Sequence, residues 1–69
     1  MTQSKIGNHV KILSGMSEFV GKFGTIVNDT ERDGRARMYR VRLDEPVYVK
    51  GVGEVSDDLW TAAALRKTR

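Results

Sequence analysis

Before its last ten residues the chain shows no helix-length run of apolar side chains at 3.6-residue spacing; short β-branched runs broken by glycine take its place. That pattern admits strands and turns and little else. His9-Val10-Lys11-Ile12-Leu13 follows Gly7-Asn8 and reads as a first strand, with Val10 and Ile12 facing one way and His9 and Lys11 the other. Ser14-Gly15 breaks it. Met16 to Lys22 reads as a long loop whose Phe19 and Val20 fold back over the core. Phe23 to Asn28 reads as a second strand, with Gly24 where a bulge or a close backbone approach is common.

Asn28 to Gly34 is turn chemistry throughout, and Asp33-Gly34 is a hairpin signal, so a mobile loop is expected there. Ala36 to Leu43 follows as the longest strand, sending Tyr39, Val41 and Leu43 inward and Met38, Arg40 and Arg42 outward. Asp44-Glu45-Pro46 ends or bulges that strand, because proline donates no ladder hydrogen bond. Val47-Tyr48-Val49 is extended, Lys50 to Gly53 turns, and Glu54-Val55-Ser56 is a short strand. Ser56-Asp57-Asp58-Leu59-Trp60 predicts a single helical turn capped by Ser56 or Asp57. Thr61 to Arg66 is then a closing strand or a short helix, the context favouring strand.

Five short strands with a single-turn helix before the last predict an all-β, five-stranded SH3-like barrel. The expected boundaries are a flexible segment over 1–6, a barrel over 7–66 and a basic tail over 67–69. At 69 residues the chain lies near the size at which a core alone suffices, and it has no cysteine to staple it. One histidine, His9, cannot hold a structural zinc. No apolar stretch is long enough to span a bilayer, and the expected location is the cytoplasm.

Gly7 to Val27 resembles the KOW motif of SH3-like domains in ribosomal proteins and transcription elongation factors. An apolar strand, a glycine, the aromatic Phe19, the pair Gly21-Lys22, a second glycine Gly24 and another apolar strand carry the likeness. The resemblance implies a non-enzymatic module contacting RNA, DNA or a protein of the transcription or translation machinery. Over nearly its whole length the chain also resembles the plasmid-encoded, trimethoprim-insensitive (type B) dihydrofolate reductases. The similar pieces are Gly7-Asn8-His9-Val10-Lys11, Ser14-Gly15, Gly21, Ile26-Val27 and Leu59-Trp60-Thr61-Ala62-Ala63-Ala64-Leu65.

That second likeness implies a bacterial, phage or plasmid origin and a four-barrel ring binding a nucleotide cofactor in its pore. The departures fall on the chemistry. The family's Val-Gln-Ile-Tyr pore motif lies where this chain reads Asp57-Asp58-Leu59-Trp60, and its pore-mouth lysine falls at Ile12. Four copies of Asp58 around a pore would repel a polyanionic cofactor by on the order of several kcal/mol. The expectation is therefore no enzyme, no catalytic residue, no cofactor and no metal.

The formal charge of +3 is unevenly spread, with Arg66, Lys67 and Arg69 close together near residue 69. Arg40 and Arg42 sit two apart on one strand face, their Cβ atoms about 7 Å apart, close to phosphate spacing along a nucleic-acid backbone; cross-strand pairing with acids explains the same alternation. Trp60 is expected in the core or a subunit interface. If exposed, it would form a stacking surface with Tyr48, Arg40 and Arg42. The candidate contact residues are Lys11, Lys22, Arg40, Arg42, Tyr48, Trp60, Arg66, Lys67 and Arg69. The expected partners are RNA, single-stranded DNA or a protein of the gene-expression machinery, no membrane, and a further copy of the chain in a homo-oligomer. Two alternatives stand beside this: a protein-binding or self-associating barrel that binds no nucleic acid, and, as the second resemblance implies, a ring-forming, nucleotide-cofactor-binding relative of the type B reductases.

Overall fold

A computed structural model describes residues 5–68. Five strands form one antiparallel sheet: β1 (His9–Ile12), β2 (Phe23–Asp33), β3 (Ala36–Val49), β4 (Gly53–Thr61) and β5 (Leu65–Lys67). Their spatial order is β4-β3-β2-β1-β5, and one 3-10 turn, Ala62–Ala64, precedes the last strand. This is the all-β, SH3-like plan expected from the strand pattern. Among the described residues no helix is long and apolar enough to cross a membrane.

Strand alternation builds the core. Val10 and Ile12 from β1, Ile26 from β2, Tyr39, Val41, Leu43 and Val49 from β3, and Trp60 from β4 all point into it. Ile12 and Val41 are sealed completely from solvent, a burial that contributes about 1.5–3 kcal/mol for each side chain. The loop between β1 and β2 closes one end of the barrel. Its Gly21 amide donates to the Ile12 carbonyl and the Ile12 amide to Lys22, each at 2.9 Å. That pinning drives Phe19 onto Trp60, ring centroids 5.4 Å apart and planes at 80°, the edge-to-face geometry aromatic quadrupoles favour. Val20, expected to fold inward with Phe19, instead stays exposed.

Two expectations are corrected. Asn28 to Gly34 is not a loop, because β2 runs on to Asp33 and turns only at Gly34-Arg35. The local turn chemistry survives inside the strand: Asn28 Oδ1 accepts from both the amide and the hydroxyl of Thr30. The result is two irregularities in the pairing with β3, between Ile26 and Asn28 and between Asn28 and Glu31. The hairpin signal itself is right. Asp33 pairs with Ala36, and Gly34 takes φ +64° at the first central position of a two-residue turn.

The second correction concerns the helical turn. Ser56 to Trp60 belongs to β4, with Asp57 opposite Arg42 and Asp58 opposite Val41, and the turn comes later, at the alanines. Pairing with β3 overrides the capping tendency of Ser56 and Asp57, while three alanines with no cross-strand partner follow their own helical preference. Around Asp44-Glu45-Pro46 the pairing of β3 with β4 is irregular between Arg42 and Val47, and the strand continues beyond it. At the other end, β5 takes in Lys67, one residue past the expected barrel boundary, and the Thr68 amide donates to the His9 carbonyl at 2.9 Å.

Candidate nucleic-acid interface

Residues directly opposite each other in an antiparallel pair share a face, with Cβ atoms about 4.5–5.5 Å apart. Lys11 lies opposite Phe23 of β2 and also opposite Arg66 of β5. Because Val10 and Ile12 fill the core, this row of Phe23, Lys11 and Arg66 faces outward. Beside it runs a second row, in which His9 opposes Thr25 and Thr25 opposes Arg42. Two aromatic rings and three permanent cations thus share the outer surface of four adjacent strands.

The rings are held in place. Phe23 is 41% exposed and stacks on His9, centroids 5.7 Å apart and planes within 2° of parallel. His9 Nε2 donates to the Asp44 carboxylate at 2.8 Å, and Nδ1 lies 2.8 Å from the Thr68 hydroxyl. The imidazole is therefore bracketed between β3 and the residue after β5. Lys11 Nζ lies 5.9 Å from the centre of the Phe23 ring, within reach of a cation–π attraction. A groove of about 480 Å³ is lined by Phe23 together with Lys22, Asp44 and Glu45.

The two outward arginines differ. Arg40 clasps Glu31 through Nε at 2.7 Å and Nη2 at 3.0 Å, and reaches Asp57 through Nη1 at 3.1 Å. These bonds hold the Glu31 carboxyl below the usual glutamate range, the Arg40 hydrogen bond being the main cause against an opposing desolvation. The same hydrogen bond raises Arg40 further. Arg40 is thus a latch joining β2, β3 and β4, not a free phosphate contact. Arg42 has no ion pair among the described residues, and neither have Lys11, Lys22 or Arg66.

Other expected contact residues lie elsewhere. Trp60 is 6% exposed and packs on Phe19, so it is core and offers no stacking platform. Tyr48 is 72% exposed but sits opposite Glu54, past the irregular stretch of β3 and outside both rows. Lys67 opposes Val10 and so faces away from Arg66. Arg69 lies outside the described residues. His9 and Phe23 were not among the expected contacts, although the alternation of β1 already put His9 beside Lys11 on the outer side.

The ring-forming reading meets the same test. Ile12, at the place of the reductases' pore-mouth lysine, is fully buried core, while Asp58 is an exposed carboxylate in β4. Among the described residues no group of three or more potential metal ligands occurs. No protein-family model, curated protein or solved structure matches the chain. The functional reading rests on geometry.

Proposed function

We propose that the protein is a non-enzymatic, cytoplasmic binding module that holds single-stranded RNA or DNA on the outer face of β1, β2, β3 and β5. The observation that carries this reading is the adjacency of the two rows: Phe23, Lys11 and Arg66 in one, Arg42, Thr25 and His9 in the other. A nucleobase stacks on a flat aromatic face whatever its identity, while cations beside it meet the phosphates. Phe23 with His9 behind it supplies the face. Lys11, Arg66 and Arg42 supply the charge, with Lys22 lining the groove.

The test is titration with a short oligonucleotide, followed by backbone amide shifts. Shifts at His9, Lys11, Phe23, Arg42 and Arg66 are expected, and Phe23→Ala weakens binding by about 5- to 150-fold, the value of one stacked base. Three phosphate contacts give a slope of log K against log salt of about −2 for a single strand. Unmoved amides on this face at low salt reject the reading.

A protein-binding barrel is favoured by a separate observation, the strong exposure of Tyr48 and Val52 on the β3–β4 hairpin. Capture of a protein partner that survives nuclease treatment and is lost in Tyr48→Ala supports that alternative.

A further inference from the structure

On the side of β1 and β5 away from the basic rows, the barrel opens into a hollow of about 110 Å³. Val10, Ile26, Ala62 and Leu65 give it an apolar lining, and Lys5, Lys67 and Asn8 line it with polar side chains. Tyr39 also lines it, and no described hydrogen bond engages the Tyr39 hydroxyl, although no buried side-chain oxygen or nitrogen is left without a partner. Neither lysine ammonium forms an ion pair with a described acid. Asp29 accepts a hydrogen bond from the Lys5 amide at 2.8 Å; it is buried and is not among the residues that line the hollow.

We propose that this hollow is a binding site for a carboxylate carried on a compact aliphatic chain. The volume sets the apolar part: an apolar cavity of about 150 Å³ takes a benzene ring, so this space takes an isobutyl or butyl group. The polar lining sets the polar part. Two ammonium groups donate only, the Tyr39 phenol and the Asn8 amide can each donate, and a carboxylate is a pure acceptor with about four lone-pair sites. A neutral alcohol of the same shape fills the apolar part and leaves both charges unmatched. The chemistry is the same whether the group is a free short-chain acid or the C-terminal leucine of a peptide. Because Lys67 and Val10 face away from Arg66 and Lys11, the site is separate from the proposed nucleic-acid face.

The experiment is a methyl NMR titration of the full chain with three probes: 4-methylpentanoate, 4-methylpentanol and N-acetylglycyl-leucine. Saturable shifts of the Val10, Ile26 and Leu65 methyls are expected with 4-methylpentanoate, at a Kd on the order of millimolar for so few atoms. The alcohol binds about tenfold more weakly, and so does the acid to the double variant Lys5→Gln/Lys67→Gln, whose exposed positions leave the core intact. Tyr39→Phe, which keeps the ring packed, weakens the acid by roughly 2- to 12-fold. Tighter binding of the peptide makes a chain terminus the source of the carboxylate, and tighter binding of the free acid makes it a small molecule. Equal affinity for acid and alcohol, or no saturable shift by about 50 mM of either carboxylate, overturns the proposal, and neither result bears on oligonucleotide binding.

Discussion

Gly24 lies in the middle of the sheet, opposite Val10 on one side and Leu43 on the other. A Cβ placed there would stand 2.5 Å from the Arg42 carbonyl oxygen, 2.6 Å from Val41 Cγ1 and 3.1 Å from the Arg42 carbonyl carbon. Two of those three atoms are backbone of β3, so no rotamer change relieves the contact. Gly24→Ala must push β2 and β3 apart where Val41 is completely buried. Overpacking of this kind costs about 1–3 kcal/mol, occasionally more, and a backbone clash belongs at the upper end.

A chain of this length has a total stability of about 3–10 kcal/mol, so about 3 kcal/mol removes a third of it or more. For a domain this small the loss corresponds to a fall in Tm of roughly 12–24 °C. Urea unfolding followed by the fluorescence of Trp60, the only tryptophan, reads it directly. Gly51→Ala is the comparison, because its position has φ +86° but nothing within 4 Å, so it reports conformational strain without a clash; about 1 kcal/mol is expected there. Gly24→Ala and Val41→Ala combined should be somewhat less destabilised than the sum of the two, because trimming Val41 removes the 2.6 Å contact with its Cγ1, but rescue should be partial, since the carbonyl contact stays in place. A Gly24→Ala protein within about 0.5 kcal/mol of the parent, a change typical of neutral surface sites, or full rescue by Val41→Ala, refutes the backbone argument.

The remaining predictions follow from the ion pairs and the aromatic core. Glu31 titrates lower when folded than its ordinary value of 4.5, so the unfolded chain binds more protons in the window just below that value and stability falls with acid there. Glu31→Gln should flatten the dependence in the acid range just below pH 4.5, seen as a smaller drop in the urea midpoint; an unchanged slope contradicts the latch. Arg42→Gln should reduce the salt slope of oligonucleotide binding by about 0.7 with little change in Tm, whereas Arg40→Gln should lower Tm; reversed behaviour of the two would show the latch misassigned. Trp60→Ala should cost about 3–5 kcal/mol, and a variant that keeps its fold by circular dichroism while changing only its sedimentation places Trp60 at a subunit contact instead.

The strands were legible where one face is buried and the other wet. Tyr39, Val41 and Leu43 alternate with Met38, Arg40 and Arg42, and that period admits one reading. Asn28 to Asp33 was not legible in this way. Its residues have turn chemistry, and they use it, but partners on β3 hold them in the sheet. Losing Glu31 to an expected loop also hid the partner of Arg40, so the arginine face looked freer than it is. The site shows the same limit. Single-strand alternation puts His9 and Lys11 outward, yet only the register across β2, β1 and β5 sets Phe23, Lys11 and Arg66 side by side, and register is fixed by bulges and pairings remote in sequence.

The pairing of β1 with β5 joins residues 10–12 to residues 65–67. A chain made only as far as Ala64 would have every other strand to hand and still present β1 as a bare edge, with Ile12 lacking its neighbour Leu65. Contacts of such long sequence separation are slow to form, and an unpaired strand beside exposed apolar residues is an invitation to aggregate. The same arrangement makes β5 a removable part: a peptide of residues 65–68 is a natural candidate to complete, from outside, a barrel that lacks it.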